Sequence, residues 1–160
     1  LIFRRLDIHE HHGDALKIEI PALFEGSWIH QLGMAPGAHA DGYQTLGGPG
    51  SILFRCNNFD VPAGDLVYES NSAFSVGPLD STPIDNFDMI GNWINGGTYT
   101  IYYGGSSYPC PTHGNLTNNR FGIDYLFDIL SEGSNCNPND LWVCDNVWDD
   151  TGQDMSINEC

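Results

Sequence analysis

Residues 93–103 read Trp-Ile-Asn-Gly-Gly-Thr-Tyr-Thr-Ile-Tyr-Tyr, the clearest local pattern in a chain of 160 residues. Asn95 and Gly96 lie between two runs of β-forming residues, and an Asn-Gly pair accepts the positive φ angles of a tight hairpin turn. In the returning run, residues 98–103, successive side chains alternate between the two faces of a strand. This stretch therefore predicts a β-hairpin.

Similar alternation, interrupted by turn residues, occurs along most of the chain. Residues 16–20, 51–55 and 66–69 are predicted strands, and residues 141–158 are predicted to form a second hairpin. Residues 121–130 fit a strand, with a short helix as the alternative. We find no internal period of the kind that indicates a solenoid or a propeller.

These patterns predict an all-β fold, an antiparallel Ig-like β-sandwich with long surface loops. The length suits one hydrophobic core. We expect an N-terminal arm and hinge at residues 1–14 and a single β-sandwich domain at residues 15–160.

Charge is distributed very unevenly. The chain has 21 acidic and 5 basic residues, for a net charge of −16. So few basic residues argue against nucleic-acid binding, and no apolar run is long enough for membrane insertion. Arg4, Arg5 and Lys17 lie in the first 20 positions, whereas residues 121–160 contain nine acidic residues and no basic one. This separation suggests that the arm contacts an acidic body.

The five cysteines predict disulfides in an oxidising compartment, because no two of them have the spacing of a zinc or redox motif. We favour the pairs Cys56–Cys110 and Cys136–Cys144, although the sequence leaves the other pairings open. The chain starts without methionine, which suggests a mature protein whose leader was removed. Together these features predict an extracellular or cell-surface location.

Catalytic motifs are missing from the sequence. No Gly-x-Ser-x-Gly elbow, His-Glu-x-x-His site or phosphate loop occurs, so we do not expect an enzyme. A carboxylate pair of the glycosidase type is the remaining alternative, with Glu69, Asp85 and Asp88 as candidates and a secreted hydrolase as the implied activity.

Two clusters suggest metal sites. Asp145, Asp149, Asp150 and Asp154 surround Gly152 and are the candidate ligands of a surface Ca²⁺, the one cofactor that the sequence suggests. A solvated acidic turn explains the same residues. His9, His11 and His12 offer ligands for a transition metal, and a polar turn is the alternative.

Two further features concern glycans. Trp28, Tyr43, Tyr102 and Tyr108 are candidates for an aromatic platform that binds sugars, whereas we expect the other three tryptophans in the core. Asn115-Leu116-Thr117 is the only N-glycosylation sequon and lies in a predicted surface loop.

The N-terminal segment suggests a mode of assembly. Residues 1–8 alternate and are followed by a polar stretch, an arrangement that resembles pilus subunits assembled by donor-strand exchange. The resemblance implies an Ig-like sandwich whose N-terminal strand completes a neighbouring copy. Ile2, Leu6 and Ile8 would then fill the neighbour's core, and Arg4 and Arg5 would contact its acidic surface. A hairpin between residues 1–8 and 15–20 is the intramolecular alternative.

The leading functional hypothesis is therefore a secreted structural subunit that polymerises with copies of itself into a pilus-like filament. A carbohydrate-binding or adhesive module with a surface Ca²⁺ site is the second hypothesis.

Overall fold

The computed structural model describes residues 1–45, 47–48, 50–61, 70–77, 84–104, 110–134, 136–158 and 160. These residues form three sheets in which each strand pairs in parallel with its counterpart one coil further along the chain. The first sheet contains β1 (Ile2–Arg4), β4 (Ala22–Glu25), β7 (Ile52–Arg55), β10 (Phe87–Ile90), β13 (Gly114–Thr117) and β16 (Leu141–Cys144).

The second sheet contains β2 (Asp7–Ile8), β5 (Trp28–His30), β8 (Asn58–Asp60), β11 (Trp93–Asn95), β14 (Arg120–Phe121) and β17 (Val147–Trp148). The third contains β3 (Leu16–Lys17), β6 (Ala40–Thr45), β9 (Ser70–Val76), β12 (Tyr99–Tyr103) and β15 (Asp128–Glu132). A 3₁₀ helix spans Pro138–Asp140.

The molecule is a parallel β-solenoid, so the predicted antiparallel Ig-like β-sandwich is wrong. The resemblance to donor-strand-exchange pilus subunits fails with it, because that family was inferred from an Ig-like body. The all-β class itself is confirmed. A strand that buries one face alternates in the same way in either arrangement, which is why alternation did not distinguish them.

Residues 93–103 form a corner of the solenoid instead of a hairpin. β11 pairs with β8 and β14, whereas β12 pairs with β9 and β15. Gly96 and Gly97 have φ angles of 92° and 86°, whereas the predicted hairpin turn placed the positive φ angles at Asn95 and Gly96. A side chain on Gly96 would overlap the carbonyl oxygen of Val61 in the preceding coil. The glycines therefore allow two coils to approach closely.

Other local predictions had mixed outcomes. The strand at residues 51–55 is confirmed as β7, and residues 66–69 lie outside the described residues. The stretch 121–130 is neither one strand nor a helix, because β14 ends at Phe121 and β15 begins at Asp128. The predicted hairpin at 141–158 is confirmed only at its tip, where Val147 and Asp154 form an antiparallel bridge; β16 and β17 stack in parallel on β13 and β14.

The N-terminal arm is the first coil of its own chain. β1 pairs with β4, and β2 pairs with β5, both in parallel. The alternative hairpin with residues 15–20 is also absent, because β3 pairs with β6. Residues 1–8 therefore pair with the next coil of their own chain, and β1 and β2 are the end strands of their sheets.

The core is built from columns of apolar side chains that run from coil to coil. In the first sheet the inward residues stack ring on ring, with centroids 4.7 Å apart between Phe3 and Phe24 and 4.9 Å apart between Phe24 and Phe54. Parallel in-register pairing places equivalent residues above one another, which makes such columns possible. The column in the second sheet consists of Ile8, Ile29, Phe59, Ile94, Phe121 and Trp148.

A ladder of polar side chains runs through the interior behind the corner between the first two sheets. Asn92 is typical: its Oδ1 accepts hydrogen bonds from the backbone N and the Nδ2 of Asn57, at 2.9 and 3.0 Å. Its Nδ2 donates to the carbonyl oxygens of Phe54 and of the Asn119 side chain. The members of this asparagine ladder are Ser27, Asn57, Asn92, Asn119, Asn146 and Asn158.

The asparagine ladder also reveals an internal repeat of the chain, contrary to the expectation that there is none. Asn92 to Asn119 and Asn119 to Asn146 are both separations of 27 residues. Ser27 to Asn57 spans 30 residues and Asn57 to Asn92 spans 35, because corner lengths differ between coils. Unequal corners conceal a periodic fold from a search for a fixed period.

Two disulfides join different residues from those predicted. Cys110 is bonded to Cys136, and Cys144 to Cys160. Cys56 is a free, exposed thiol, so the predicted pairs Cys56–Cys110 and Cys136–Cys144 are wrong. Cys56 and Cys144 lie on different coils, and only spatial stacking decides which thiols meet.

We expect Asn92→Ala to lower the free energy of unfolding by about 2–5 kcal/mol, because it leaves the Asn57 N–H and the Phe54 carbonyl buried without partners. Asn58→Ala, at an exposed neighbouring position, is the matched control and should cost under 1 kcal/mol. Urea unfolding of both variants tests this. Equal losses would show that the ladder contributes no specific stabilisation.

A second pair of variants separates close approach from backbone strain. Gly96 and Gly152 both have positive φ, but a side chain at Gly152 meets no atom within 4 Å. Gly152→Ala should cost about 1–2 kcal/mol from the left-handed conformation alone. Gly96→Ala should cost more or prevent folding, as measured by thermal unfolding monitored by circular dichroism. Similar losses in both variants would contradict the close contact with Val61.

Candidate functional site

An open groove of about 530 Å³ follows the corner between the first and second sheets. Three rows of residues line it, each row running from coil to coil. The first row consists of corner residues (Gly26, Cys56, Gly91, Asn118), the second of ladder residues (Ser27, Asn57, Asn92), and the third of outward residues at the start of the second-sheet strands (Trp28, Asn58, Trp93, Arg120).

The third row, which we call the outer row, places two tryptophans at a regular interval. Trp28 pairs in register with Asn58, which pairs with Trp93, which pairs with Arg120. Neighbouring strands are about 4.8 Å apart, so two strand steps separate Trp28 from Trp93 by about 10 Å. The row therefore presents aromatic, amide, aromatic and guanidinium groups in succession along the solenoid axis.

Trp28 is braced by its neighbours. Its ring lies on the ring of His30 with centroids 3.7 Å apart, and His30 stacks in turn on His9 at 5.0 Å. His30 Nε2 is 3.0 Å from the Asp7 carboxylate. These contacts hold the indole in place while 45% of the residue surface remains exposed. A rigid exposed aromatic ring loses little conformational entropy when it binds a ligand.

The groove carries little charge despite the acidity of the chain. No carboxylate belongs to its lining among the described residues, and Arg120 is the only charged residue there. The Arg120 guanidinium is 2.6 Å from the Asp149 carboxylate. The polar groups that line the groove are mostly amides, which donate and accept hydrogen bonds without attracting ions.

The predicted aromatic platform is only partly brought together. Trp28 lies in the groove, whereas Tyr43 is fully buried in the core and its hydroxyl donates to the Ile18 carbonyl. Tyr102 lies on the third sheet, and Tyr108 lies outside the described residues.

Trp93 was predicted to be in the core but lines the groove, and Trp142 is 52% exposed on the first sheet. A local signal did exist in the sequence. Trp28 follows Gly26-Ser27 and Trp93 follows Gly91-Asn92, so a glycine, a ladder residue and a tryptophan occur twice in the same order. The glycine and the small polar residue mark the corner, and the next residue must point outward.

The residues predicted to mediate assembly lie in the first coil. Ile2 is 63% exposed, and Phe3 is the β1 residue that packs inward, so Ile2 is not a core residue. Leu6 and Ile8 are half-buried and pack against the core of their own chain. Arg4 Nε donates to Glu25 at 2.7 Å, and Arg5 occupies the corner with a φ of 56°.

Hydrogen bonds from Arg55 and Arg4 lower the pKa of the Glu25 carboxyl. Glu25 therefore carries a negative charge between two guanidinium groups on neighbouring strands. Arg4 contacts an acidic group as predicted, but the group belongs to its own chain.

The four aspartates of the predicted Ca²⁺ site do not converge. Asp145 occupies the corner after β16, Asp149 and Asp150 lie in the turn after β17, and Asp154 is exposed beyond it. Among the described residues the only group with metal-ligand spacing is Cys144, Asp145 and Cys160, and its two cysteines are joined in a disulfide. Ca²⁺ binding at these residues stays a prediction.

Three of the remaining candidate ligands and carboxylates form hydrogen bonds within the chain. His11 Nδ1 accepts a hydrogen bond from the Gly13 backbone, which confirms a polar turn at this position. Asp85 accepts from Thr112 and is 2.8 Å from His113 Nδ1; this contact lowers the pKa of Asp85 and raises that of His113. Asp88 accepts from Asn115. Glu69 lies outside the described residues.

Asp41 is a buried carboxylate on the third sheet. Its Oδ1 accepts hydrogen bonds from Asn71 and Ser72, and its Oδ2 accepts from Gln44 at 3.2 Å. Burial raises the pKa of Asp41 to about 6, while the hydrogen bonds from Ser72 and Asn71 oppose that rise. The folded protein therefore releases this proton at a higher pH than an unfolded chain does.

Comparison with known protein families, curated proteins and solved structures finds no match to this chain.

The two disulfides indicate an oxidising, extracellular environment. The described part of the chain contains no helix of the length and hydrophobicity that a bilayer crossing requires.

Asp41 should give the stability a defined dependence on pH. Between about pH 4 and pH 6 the folded state binds the Asp41 proton and the unfolded state does not, so the free energy of unfolding falls as the pH rises. The slope is at most about 1.4 kcal/mol per pH unit. Asp41→Asn should remove this component, and Asp145→Asn, at an exposed corner, should keep it. Urea unfolding at several pH values measures both, and parallel profiles for the two variants would contradict the assignment.

Proposed function

We propose that this protein is an extracellular binding module that holds an extended, uncharged glycan along the groove. The single observation that carries the proposal is the outer row, in which Trp28 and Trp93 lie about 10 Å apart with the Asn58 amide between them. A polymer with a repeating apolar face and repeating hydroxyl groups complements such a row. Binding of such a glycan suggests a role at the cell surface.

Tryptophan supports sugar binding for a physical reason. One face of a sugar ring carries C–H groups, and these pack on the electron-rich face of an indole. Hydroxyl groups around the ring edge require donors and acceptors, which the exposed Asn58 and Asn118 side chains supply. An open groove with both indole faces and amide groups suits an extended polysaccharide, which enters at one end of the groove and leaves at the other.

Charge argues for a neutral ligand. A net charge of −16 repels polyanions, and the single guanidinium of the groove is already paired with Asp149. A polycation would be attracted to the whole acidic surface, and salt would screen that attraction. Binding of a neutral glycan in the groove should change little with salt, which distinguishes it from general electrostatic adsorption.

The filament hypothesis stays a prediction that neither the fold nor the comparisons test. Its proposed donor strand is paired with β4 and β5 of the same chain. No contact of the described residues favours assembly over glycan binding, so we base the proposed function on the groove.

The binding experiment uses hydroxyethyl cellulose as a neutral polymer, polygalacturonate as an anionic one and chitosan as a cationic one. We expect retardation of the protein by the neutral polymer in native affinity electrophoresis, unchanged between low and physiological salt. Trp28→Ala and Trp93→Ala should each weaken this binding at least tenfold, because buried aromatic anchors dominate such interfaces.

Trp142→Ala is the matched control, since it removes an exposed tryptophan of the first sheet and should leave binding unchanged. If Trp142→Ala weakened binding as much as Trp93→Ala does, the binding site would lie outside the groove. Absence of binding to hydroxyethyl cellulose, or binding to the charged polymers alone, would contradict the proposal for a neutral glycan.

A further inference from the structure

Asn115 lies on the outward face of β13, which is the strand next to the last one of the first sheet. Leu116 between the two sequon residues is fully buried, so Asn115 and Thr117 point away from the core. Asn115 was predicted to lie in a loop, and the structure places it instead on a strand with its side chain half-buried at the surface. The sequon therefore presents its asparagine and threonine on one exposed face.

The two neighbours of Asn115 in the sheet are chemically different. Asp88, on β10, accepts a hydrogen bond from Asn115 Nδ2. Trp142, on β16, is paired in register with Asn115 on the opposite side. Trp142 is a large apolar side chain that is 52% exposed, on the last strand of the sheet. An indole left open to water is a surface that a ligand would stabilise by covering it.

The Asn115 side chain can carry a sugar and keep its present contact. Its amide nitrogen has two hydrogens, and an N-linked glycan replaces one of them. The other hydrogen still donates to Asp88, which fixes the orientation of the amide. The first sugar then leaves the sheet next to Trp142, since opposite residues on neighbouring strands are about 5 Å apart.

The disulfides supply the matching compartment. Cys110–Cys136 and Cys144–Cys160 indicate an oxidising environment, and the endoplasmic reticulum is a compartment that both forms disulfides and attaches N-linked glycans. The groove lies at the corner of the first and second sheets and does not include Asn115 or Trp142. This site is therefore independent of the proposed function.

We propose that Asn115 is N-glycosylated and that its first sugar packs on the indole of Trp142. The donor is an oligosaccharide linked to a lipid diphosphate. The Asn115 amide nitrogen forms a bond to the anomeric carbon, and the bond from that carbon to the diphosphate oxygen breaks. The lipid diphosphate leaves with the electron pair, and the amide proton passes to a base of the transferring enzyme.

The first test is the mass of the full chain secreted from cultured insect cells. We expect the mass of one glycan above that of the polypeptide, and its removal by peptide N-glycosidase with conversion of Asn115 to aspartate. Thr117→Ala should abolish the modification, and Thr117→Ser, which keeps the hydroxyl of the sequon, should retain it. Secreted protein without a glycan on Asn115 would overturn the proposed site.

The second test concerns Trp142 and uses Thr117→Ala as the unglycosylated background, because that variant leaves Asn115 intact. We expect Trp142→Ala to lower the melting temperature by about 2–4 °C more in glycosylated protein than in this background. Trp142→Tyr, which keeps an aromatic ring, should show a smaller difference. Trimming the glycan to its first sugar should preserve the difference.

Trp28→Ala is the matched control for the second test, since Trp28 is an exposed tryptophan far from the sequon on another sheet. Its effect on the melting temperature should be equal with and without the glycan. Equal effects of Trp142→Ala in the two backgrounds would overturn the packing of the sugar on Trp142.

Discussion

The corner between the first two sheets, with the asparagine ladder behind it, is the constraint on which the rest of the structure depends. In each coil one residue adopts a left-handed conformation, and the residue after it turns its side chain inward. The left-handed positions are Arg5, Gly26, Cys56, Gly91, Asn118 and Asp145. At such a corner the regular strand hydrogen bonds are interrupted, and the amides of the ladder satisfy the buried groups that remain.

The groove is a consequence of this corner. A ladder residue points inward, so the residue that follows it must point outward at the start of the second sheet. Parallel in-register stacking then aligns Trp28, Asn58, Trp93 and Arg120 in one row. The same stacking aligns Asp88, Asn115 and Trp142 on the first sheet. Residues far apart in the chain become neighbours at a spacing that the backbone sets.

Several local features could be predicted from the sequence, and the pairing of strands could not. The strand at residues 51–55 is present, and positive φ angles occur at Gly96 and Gly97 instead of at Asn95 and Gly96. A glycine-rich turn suits a hairpin and a solenoid corner alike, so it does not say which strands pair. The pattern of a glycine, a small polar residue and a tryptophan, at residues 26–28 and 91–93, marked equivalent corners of two coils. Corners of unequal length concealed this repeat.

For the candidate site, too, the chemistry of single residues could be predicted and their neighbours in space could not. Trp28 was recognised as a candidate because tryptophan suits sugar binding, but its partner Trp93 was assigned to the core, since hydrophobicity alone does not say which face of a strand is buried. The disulfides were predicted as a class and paired wrongly, because thiols distant in sequence meet only after the coils stack.

The sequence by itself determined an all-β chain, an acidic composition, disulfides as a class and one glycosylation sequon. These are properties of single residues or short stretches, and local propensity and composition express them directly. Only the tertiary structure decided that the strands stack in parallel and that Trp28 aligns with Trp93, and Asn115 with Trp142. Which residues align depends on the number of residues in each coil. Packing against the preceding coil fixes that number.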